Sequence, residues 1–125
     1  MKRLIYTEKA PRPVGPYSQA VENNGLIFVS GQIPVDPATG SIVGGTIRDQ
    51  TRQVLQNINN ILAAGGYSMK DVVKCTCLLK NINDFRDMNE EYTTYFKGEL
   101  PARAVYEVCN LPLGAAIEIE AIAMK

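Results

Sequence analysis

The sequence predicts an α+β domain in which two helices cover one face of a single mixed β-sheet. Two stretches, one beginning at Thr46 and one near Asp84, carry apolar residues at the spacing of an amphipathic helix. Shorter runs before, between and after them alternate apolar and polar residues with the period of a strand. The order is hairpin, helix, strand, helix, strand, strand, so the domain consists of two similar halves. Its 125 residues are the length of one domain, residues 1–125, that buries its own core.

The first predicted element is a β-hairpin within residues 19–30. Asn24 and Gly25 lie between two strand-like runs, and this pair is favoured in type I′ turns because both residues tolerate positive φ. The segment that follows, residues 31–45, contains Pro34, Pro37 and several glycines. This composition predicts an ordered loop.

The first helix is predicted to begin after Thr46. Thr46 and Asp49 have the spacing of a capping box, and Gly65 and Gly66 end the helical pattern. Ser68 repeats the same start signal over a single turn, together with Asp71. The apolar residues of the long helix fall on one face: Ile47, Val54, Leu55, Ile58, Ile61 and Leu62.

A strand and a second helix follow. The strand from Val72 to Lys80 is predicted to place four residues on one face, namely Val73, Cys75, Cys77 and Leu79. The helix begins near Asp84 and is closed by Gly98. Its apolar positions have the spacing of core residues: Phe85, Met88, Tyr92, Tyr95 and Phe96.

Two further strands complete the chain. Pro101 stiffens the approach to the first of them, in which Arg103, Val105 and Glu107 share one face. A loop containing Cys109 leads to the last strand, which starts at Ile117. One face of that strand carries Glu118, Glu120, Ile122 and Met124.

Composition excludes several classes of site. The chain has no histidine, which rules out Ser-His-Asp and Cys-His triads and histidine-based metal sites. Cys75 and Cys77 lack the spacing of a zinc or redox motif and are predicted to be small core residues. No glycine pattern matches a nucleotide-binding loop. We therefore expect no metal and no cofactor.

Charge and targeting signals indicate where the protein works. Thirteen basic and thirteen acidic residues cancel, so no overall field attracts nucleic acid or an anionic membrane. Lys2 and Arg3 are followed by no apolar run, so no signal peptide is expected, and no stretch has the length of a membrane span. Three cysteines, an odd number, suit a reducing compartment. These features predict a cytoplasmic protein.

The sheet face that the helices leave open is predicted to be an interface between copies of the chain. It would expose Ile122, Met124, Val105 and part of the strand that follows Val72, which is more apolar surface than a small monomer usually exposes. Arg103 and Glu120 would lie near this junction, partly removed from water. Two interpretations remain open: an ion pair that holds the interface, or an Arg103 that awaits an anionic ligand.

Five short motifs occur in the same order as in a known family. They are GPYSQA at 15–20, VSGQIP at 29–34, DFRDMNEEYTTYF at 84–96, LPARAVYEV at 100–108 and IEIEAIA at 117–123. Together they closely resemble the Rid family of reactive-intermediate deaminases, also called 2-iminobutanoate/2-iminopropanoate deaminases, over essentially the whole chain. The resemblance implies a chorismate-mutase-like fold and a homotrimer with three ligand clefts at the subunit interfaces.

The resemblance also implies roles for single residues. Arg103 would clamp the substrate carboxylate, and Glu120 would handle the attacking water. Tyr17 and Ser30 would form hydrogen bonds in the cleft, and Gly31 would supply backbone contacts. These implied roles use groups that remain available in a chain without histidine.

Two further positions follow from the same resemblance. Asn89 would reach into the cleft from the second helix of a neighbouring subunit. Val105 stands where many relatives carry cysteine, two residues beyond the arginine, and this difference bears on pocket size and substrate preference.

The implied reaction is hydrolysis of 2-imino and enamine acids, of the 2-aminoacrylate and 2-aminocrotonate type, to 2-keto acids and ammonia. An arginine fork suits such a substrate because it can hold the carboxylate beside the reacting carbon in two parallel hydrogen bonds. One alternative is a trimeric protein that binds small 2-keto or amino acids without turnover. Another is an RNA-cleaving translation inhibitor, which the zero net charge and the lack of histidine disfavour.

Overall fold

Six of the eight strands form one sheet in the order β1-β2-β3-β8-β6-β7. The computed structural model describes all residues, 1–125. The strands are β1 Arg3–Ile5, β2 Ala20–Asn23, β3 Leu26–Gln32, β4 Val35–Asp36, β5 Ser41–Ile42, β6 Val72–Leu79, β7 Ala102–Glu107 and β8 Ile117–Met124, and the helices are α1 Ile47–Ala64 and α2 Phe85–Tyr95. Strands β6 and β7 pair in parallel, whereas the other pairs are antiparallel, so the predicted mixed sheet is confirmed.

The predicted hairpin turn and the predicted helix cap in the first half of the chain both form. Asn24 and Gly25 join β2 to β3 with φ angles of 51° and 76°, the positive values that a type I′ turn requires. Thr46 caps α1 in a full capping box with Asp49, in which each side chain binds the backbone N–H of the other residue. The prediction of these two element boundaries is therefore confirmed.

The two helices pack on one face of the six-stranded sheet, as predicted. Every predicted apolar residue of α1 except Ile47 is fully buried, and Ile47 is partly buried. The opposing sheet face contributes alternate residues of β6 and β8, among them Cys75, Cys77, Ile117 and Ile119. This alternation leaves the other face of the same strands without a helix over it.

The structure contains short strands that the sequence did not predict. Strand β1 is three residues long, and β4 and β5 form a two-residue ribbon within the segment predicted to be a loop. Strands this short contain too few residues for a period of two to be recognised. The loop prediction for residues 31–45 is thus wrong where β3 extends to Gln32 and where the ribbon forms.

A β-bulge overturns the predicted position of Val73. Val72 is in register with Ala123 and Lys74 with Ile122, so Val73 is an extra residue without a partner on β8. Val72 therefore takes the buried position, and Val73 is exposed. The predicted positions of Cys75, Cys77 and Leu79, all beyond the bulge, are confirmed because each is fully buried.

The open face of the sheet is broad and largely apolar, but Val105 does not belong to it. The open face includes Leu4, Phe28, Ile122, Tyr106 and Met124, of which all but the half-buried Ile122 are exposed. Val105 is in register with the buried Cys77 and packs against the core on the helix side. The prediction that Val105 is on the open face is wrong.

Neither helix has the length and apolar character needed to cross a membrane.

Candidate functional site

A second β-bulge brings three of the predicted site residues together. Val29 is in register with Ala121 and Gln32 with Ile119. Two residues of β3, Ser30 and Gly31, consequently stand opposite a single residue of β8, Glu120. Bulges of this kind change the direction of a side chain and are frequent beside active sites.

Ser30 and Glu120 line one cavity on the open face of the sheet. The cavity has a volume of about 430 Å³, and Lys74 and Thr76 of β6 also line it. Glu120 is exposed and is in register with Thr76. The Ser30 hydroxyl donates to the Ser18 carbonyl oxygen at 2.6 Å, so its lone pairs remain available to accept hydrogen bonds. This hydroxyl therefore has a structural role at the end of the hairpin as well as a place in the cavity.

A second carboxylate, Glu118, lies beside this bulge on the same face as Glu120. The side chain is half-buried, and burial raises its pKa above the ordinary value, with a smaller contribution from the negative charge of Glu120. Gly31 leaves the space that the Glu118 carboxylate occupies, since a methyl group at Gly31 would overlap it. Glycine at this position thus allows Glu118 to pack against β3.

Tyr17 and Gly31 line a different cavity, of about 240 Å³. Tyr17 is exposed, and its backbone N–H donates to the Gly15 carbonyl oxygen at 2.9 Å in a tight turn. Arg12 and Leu113 also line this cavity. Gly31 borders this cavity and lies in the same bulge as Ser30, which lines the Glu120 cavity.

Arg103 and Asn89 line a third cavity, of about 330 Å³, between α2 and β7. Arg103 forms no ion pair within the chain, although four of the other arginines do. Its guanidinium carbon lies 4.8 Å from the ring centroid of Tyr92 and 5.6 Å from that of Phe85. The Asn89 Oδ1 atom is buried and has no hydrogen-bond partner. Asn89 on α2 and Arg103 on β7 thus line one cavity within a single chain, and the contribution of Asn89 to the cleft of a neighbouring subunit stays a prediction.

Arg103 and Glu120 lie on opposite faces of the sheet. Arg103 is in register with Cys75, whose side chain is buried beneath the helices. Glu120 is in register with Thr76, the next residue of β6, which faces the other side. The two side chains therefore cannot form an ion pair or share a cavity within one chain.

The cysteines near Arg103 are core residues. Burial raises the pKa of the Cys75 thiol, and it raises that of Cys77 to about 12. Both are therefore uncharged thiols at neutral pH, as their predicted core role requires. The third cysteine, Cys109, is exposed.

Three residues of this region were not predicted to belong to the site. The helical spacing predicts that both Phe85 and Tyr92 are core residues, which is confirmed for the buried Tyr92 and wrong for the exposed Phe85. Both rings also lie close to Arg103. With Asn89 they occupy positions i, i+4 and i+7 of one helix, a signal that could have placed them together. Glu118 could have been found because it is two residues from Glu120 on the same face of a strand.

Comparison with known proteins gives matches along the whole chain. A profile of the family described as endoribonuclease L-PSP matches residues 7–125. A RutC family protein of Pyrococcus horikoshii is 58% identical over 125 residues, covering 100% of this chain and 99% of that protein. The 2-iminobutanoate/2-iminopropanoate deaminase of Homo sapiens is 49% identical over 125 residues, covering 100% and 91%. The crystal structure of E. coli TdcF with bound serine superposes on this chain with a TM-score of 0.94 at 40% sequence identity, and the match covers 98% of each chain.

Proposed function

This chain belongs to the endoribonuclease L-PSP family, which includes the RutC and Rid proteins, and we propose that it hydrolyses reactive 2-imino acids. The substrates would be the imine and enamine forms of small amino acids, of the 2-aminoacrylate and 2-aminocrotonate type. The products would be the 2-keto acid and ammonia. The deaminase of Homo sapiens supports this assignment through 49% identity over the full chain.

The observation that carries the proposal is an arginine without a carboxylate partner in a cavity. A half-buried charge that lacks an ion pair is costly unless a ligand provides one. Arg103 can offer two parallel N–H donors to a carboxylate, and Asn89 lies in the same cavity. A 2-imino acid carries its carboxylate next to the reacting carbon, so binding the carboxylate also fixes the C=N group.

Glu120 is the group that we assign to the water. Water adds to the imine carbon, which forms a C–O bond, and the imine nitrogen takes up a proton. The resulting carbinolamine then loses ammonia, and its hydroxyl proton leaves as the C=O bond forms. A carboxylate can accept the proton of the water and return it to the departing nitrogen. Tyr17 would donate to the tetrahedral intermediate, Ser30 and Gly31 would line the cleft, and no cofactor is needed for these steps.

The proposed cleft forms between copies of the chain in a homotrimer, with a chorismate-mutase-like arrangement. A site that uses both Arg103 and Glu120 needs a second copy, because the two residues face opposite sides of one sheet. The apolar open face supplies a surface on which copies can pack. Light scattering should give a mass three times the 13.7 kDa of the chain. A stable, active monomer would contradict this assembly.

Binding without turnover is a second candidate, favoured by the TdcF structure, which contains serine. A binding protein would use the same arginine to hold the carboxylate of a 2-keto or amino acid. RNA cleavage, which the family description names, is disfavoured by the zero net charge and the lack of histidine. We therefore expect no nucleic-acid partner.

A coupled assay tests the proposal. A pyridoxal-phosphate dehydratase generates the imine from serine or threonine, and release of the keto acid is followed with and without this protein. We expect the rate of keto-acid release to rise in proportion to the protein concentration. In the cell, the same activity would protect cytoplasmic enzymes from these intermediates. If keto-acid release is not accelerated at any concentration, while calorimetry detects binding of a 2-keto acid, the binding function is correct instead.

A further inference from the structure

Two aromatic rings of α2 lie beside the Arg103 guanidinium, and one of them, Tyr92, also lines the Arg103 cavity. Phe85, Asn89 and Tyr92 follow one another at i, i+4 and i+7, so they form a single stripe along the helix. The Arg103 guanidinium carbon lies within 4.8 Å of the Tyr92 centroid and 5.6 Å of the Phe85 centroid. Both distances are within the range in which a ring face attracts a guanidinium.

Arg103 has no other visible restraint on its charged end. It forms no ion pair and no side-chain hydrogen bond, whereas Arg52 is fixed by two bonds to Glu91 at 3.2 Å each. A free arginine side chain has many rotamers, which would have to be ordered whenever a ligand binds. An aromatic ring restrains the cation without taking up its N–H groups, so these donors remain available for a carboxylate.

Tyr92 is itself held firmly and uses its ring only. It is buried, and its ring packs against that of Phe96 with centroids 4.6 Å apart. Its hydroxyl is buried without a hydrogen-bond partner, and burial raises the pKa of this phenol well above its ordinary value. The contribution of Tyr92 to the cavity is therefore the neutral aromatic face.

We propose that Phe85 and Tyr92 are positioning residues that hold the guanidinium of Arg103 ready for the carboxylate of the substrate. This inference rests on the proposed function, because it explains the two rings beside Arg103 by the capture of a carboxylate ligand. Tyr92 is the nearer ring and is fixed by the core. Phe85 is partly exposed, at 40%, and borders the guanidinium from the start of the helix.

The test compares the changes Tyr92→Phe, Tyr92→Leu and Phe85→Leu in the assembled protein. Calorimetry measures the affinity for 2-oxobutanoate, and the coupled assay gives KM and kcat. We expect the two leucine variants to lose about fivefold or more in affinity and to raise KM equally, with kcat nearly unchanged, because they lose ring attraction. Tyr92→Phe should match the wild type, since the ring remains and an unpartnered buried hydroxyl is removed.

Relaxation of the Arg103 Nε–H group by ¹⁵N NMR separates this inference from the proposed function. We expect a rigid Nε–H in the wild type and in Tyr92→Phe, and a mobile one in the leucine variants. Phe85→Leu keeps the test decisive if Tyr92→Leu unfolds, because Phe85 is not part of the buried core. The inference is overturned if the Arg103 Nε–H group is as rigid in the folded leucine variants as it is in the wild type. A wild type that binds no 2-keto acid and accelerates no imine hydrolysis, with Arg103 nonetheless loosened by these changes, overturns the proposed function alone.

Discussion

Arg103 and Glu120 occupy opposite faces of the same sheet, two strands apart. Arg103 pairs with Cys75 of β6, and Glu120 pairs with Thr76, the next residue of β6. Because successive residues of a strand face opposite sides of the sheet, the two side chains point in opposite directions. An ion pair between them within one chain is therefore excluded, and both interpretations of Arg103, an ion pair across the interface or a ligand clamp, require a second copy of the chain to bring Glu120 near it. The chain presents a free cation on its helix side and a carboxylate on its open side. A neighbouring copy could bring the two together.

Replacement of Arg103 by lysine should weaken substrate capture although the positive charge is kept. Lysine cannot form two parallel hydrogen bonds with a carboxylate, so we expect a loss of roughly 1.5–3 kcal/mol, or about tenfold to a hundredfold in kcat/KM. Arg103→Ala should abolish turnover. Light scattering should detect unchanged assembly in both variants. Assembly that fails in Arg103→Lys, with normal activity of the assembled fraction, would indicate that the arginine serves the interface.

Replacement of Glu120 by glutamine should affect the chemical step and leave binding intact. The amide is nearly isosteric but cannot accept and return a proton, so kcat should fall by about a hundredfold or more. The affinity for 2-oxobutanoate, measured by calorimetry, should stay within about twofold of the wild type. A Glu120→Gln variant with normal kcat would remove Glu120 from the mechanism.

Alanine at Gly31 should displace the Glu118 carboxylate, which a methyl group would overlap. The end of a glutamate side chain can move, so the midpoint of thermal unfolding should change little. Activity should fall by about tenfold, because a shift of around 1 Å in the cleft is costly to catalysis. Gly44→Ala is the matched control, since no atom lies within 4 Å of the added methyl group and the backbone at Gly44 does not have positive φ. Equal activity of the two variants would contradict the role of Gly31.

The raised pKa of the Glu118 carboxyl should make the free energy of unfolding depend on pH. Burial and the charge of Glu120 raise its pKa above the ordinary value of 4.5, so the ionised form is disfavoured in the folded chain. The contribution of Glu118 to the free energy of unfolding is therefore fully present below the pKa that this carboxyl has in the unfolded chain. It is lost as the pH rises through the higher pKa of the folded chain. Glu118→Gln should therefore increase the free energy of unfolding at pH 7, and the difference should vanish towards pH 4, as measured by urea unfolding. Glu99→Gln, at an exposed position, is the control.

The parts of the fold that could be predicted from the sequence are those with strong local signals. The Asn24-Gly25 turn and the Thr46 capping box have specific backbone requirements, so sequence alone was enough to locate them. The bulge at Val73 could not be predicted, because an extra residue is visible only once β6 and β8 are paired. The same limit applied to Val105, whose face depends on its register with Cys77.

The geometry of the candidate site could not be predicted from the sequence. Ser30, Gly31 and Glu120 are brought together by a bulge that has no sequence period of its own. The face on which Arg103 lies depends on the parallel pairing of β6 and β7, which are joined through α2 and have no turn to fix their register. The roles of all the predicted site residues came from family resemblance and remain predictions, for Arg103, Glu120, Ser30 and Gly31 as much as for Tyr17, Asn89 and Val105.

The measurement that tests the central claim most directly is a mixing experiment with two inactive variants. Arg103→Ala and Glu120→Gln chains are unfolded together at equal amounts, refolded and assayed for keto-acid release. If each cleft combines Arg103 of one copy with Glu120 of its neighbour, random assembly restores an intact cleft at about one interface in four, and activity should recover to about a quarter of the wild type. Each variant refolded alone should remain inactive. Mixed assemblies that form, as tagged copurification would detect, and yet remain inactive would contradict the shared cleft.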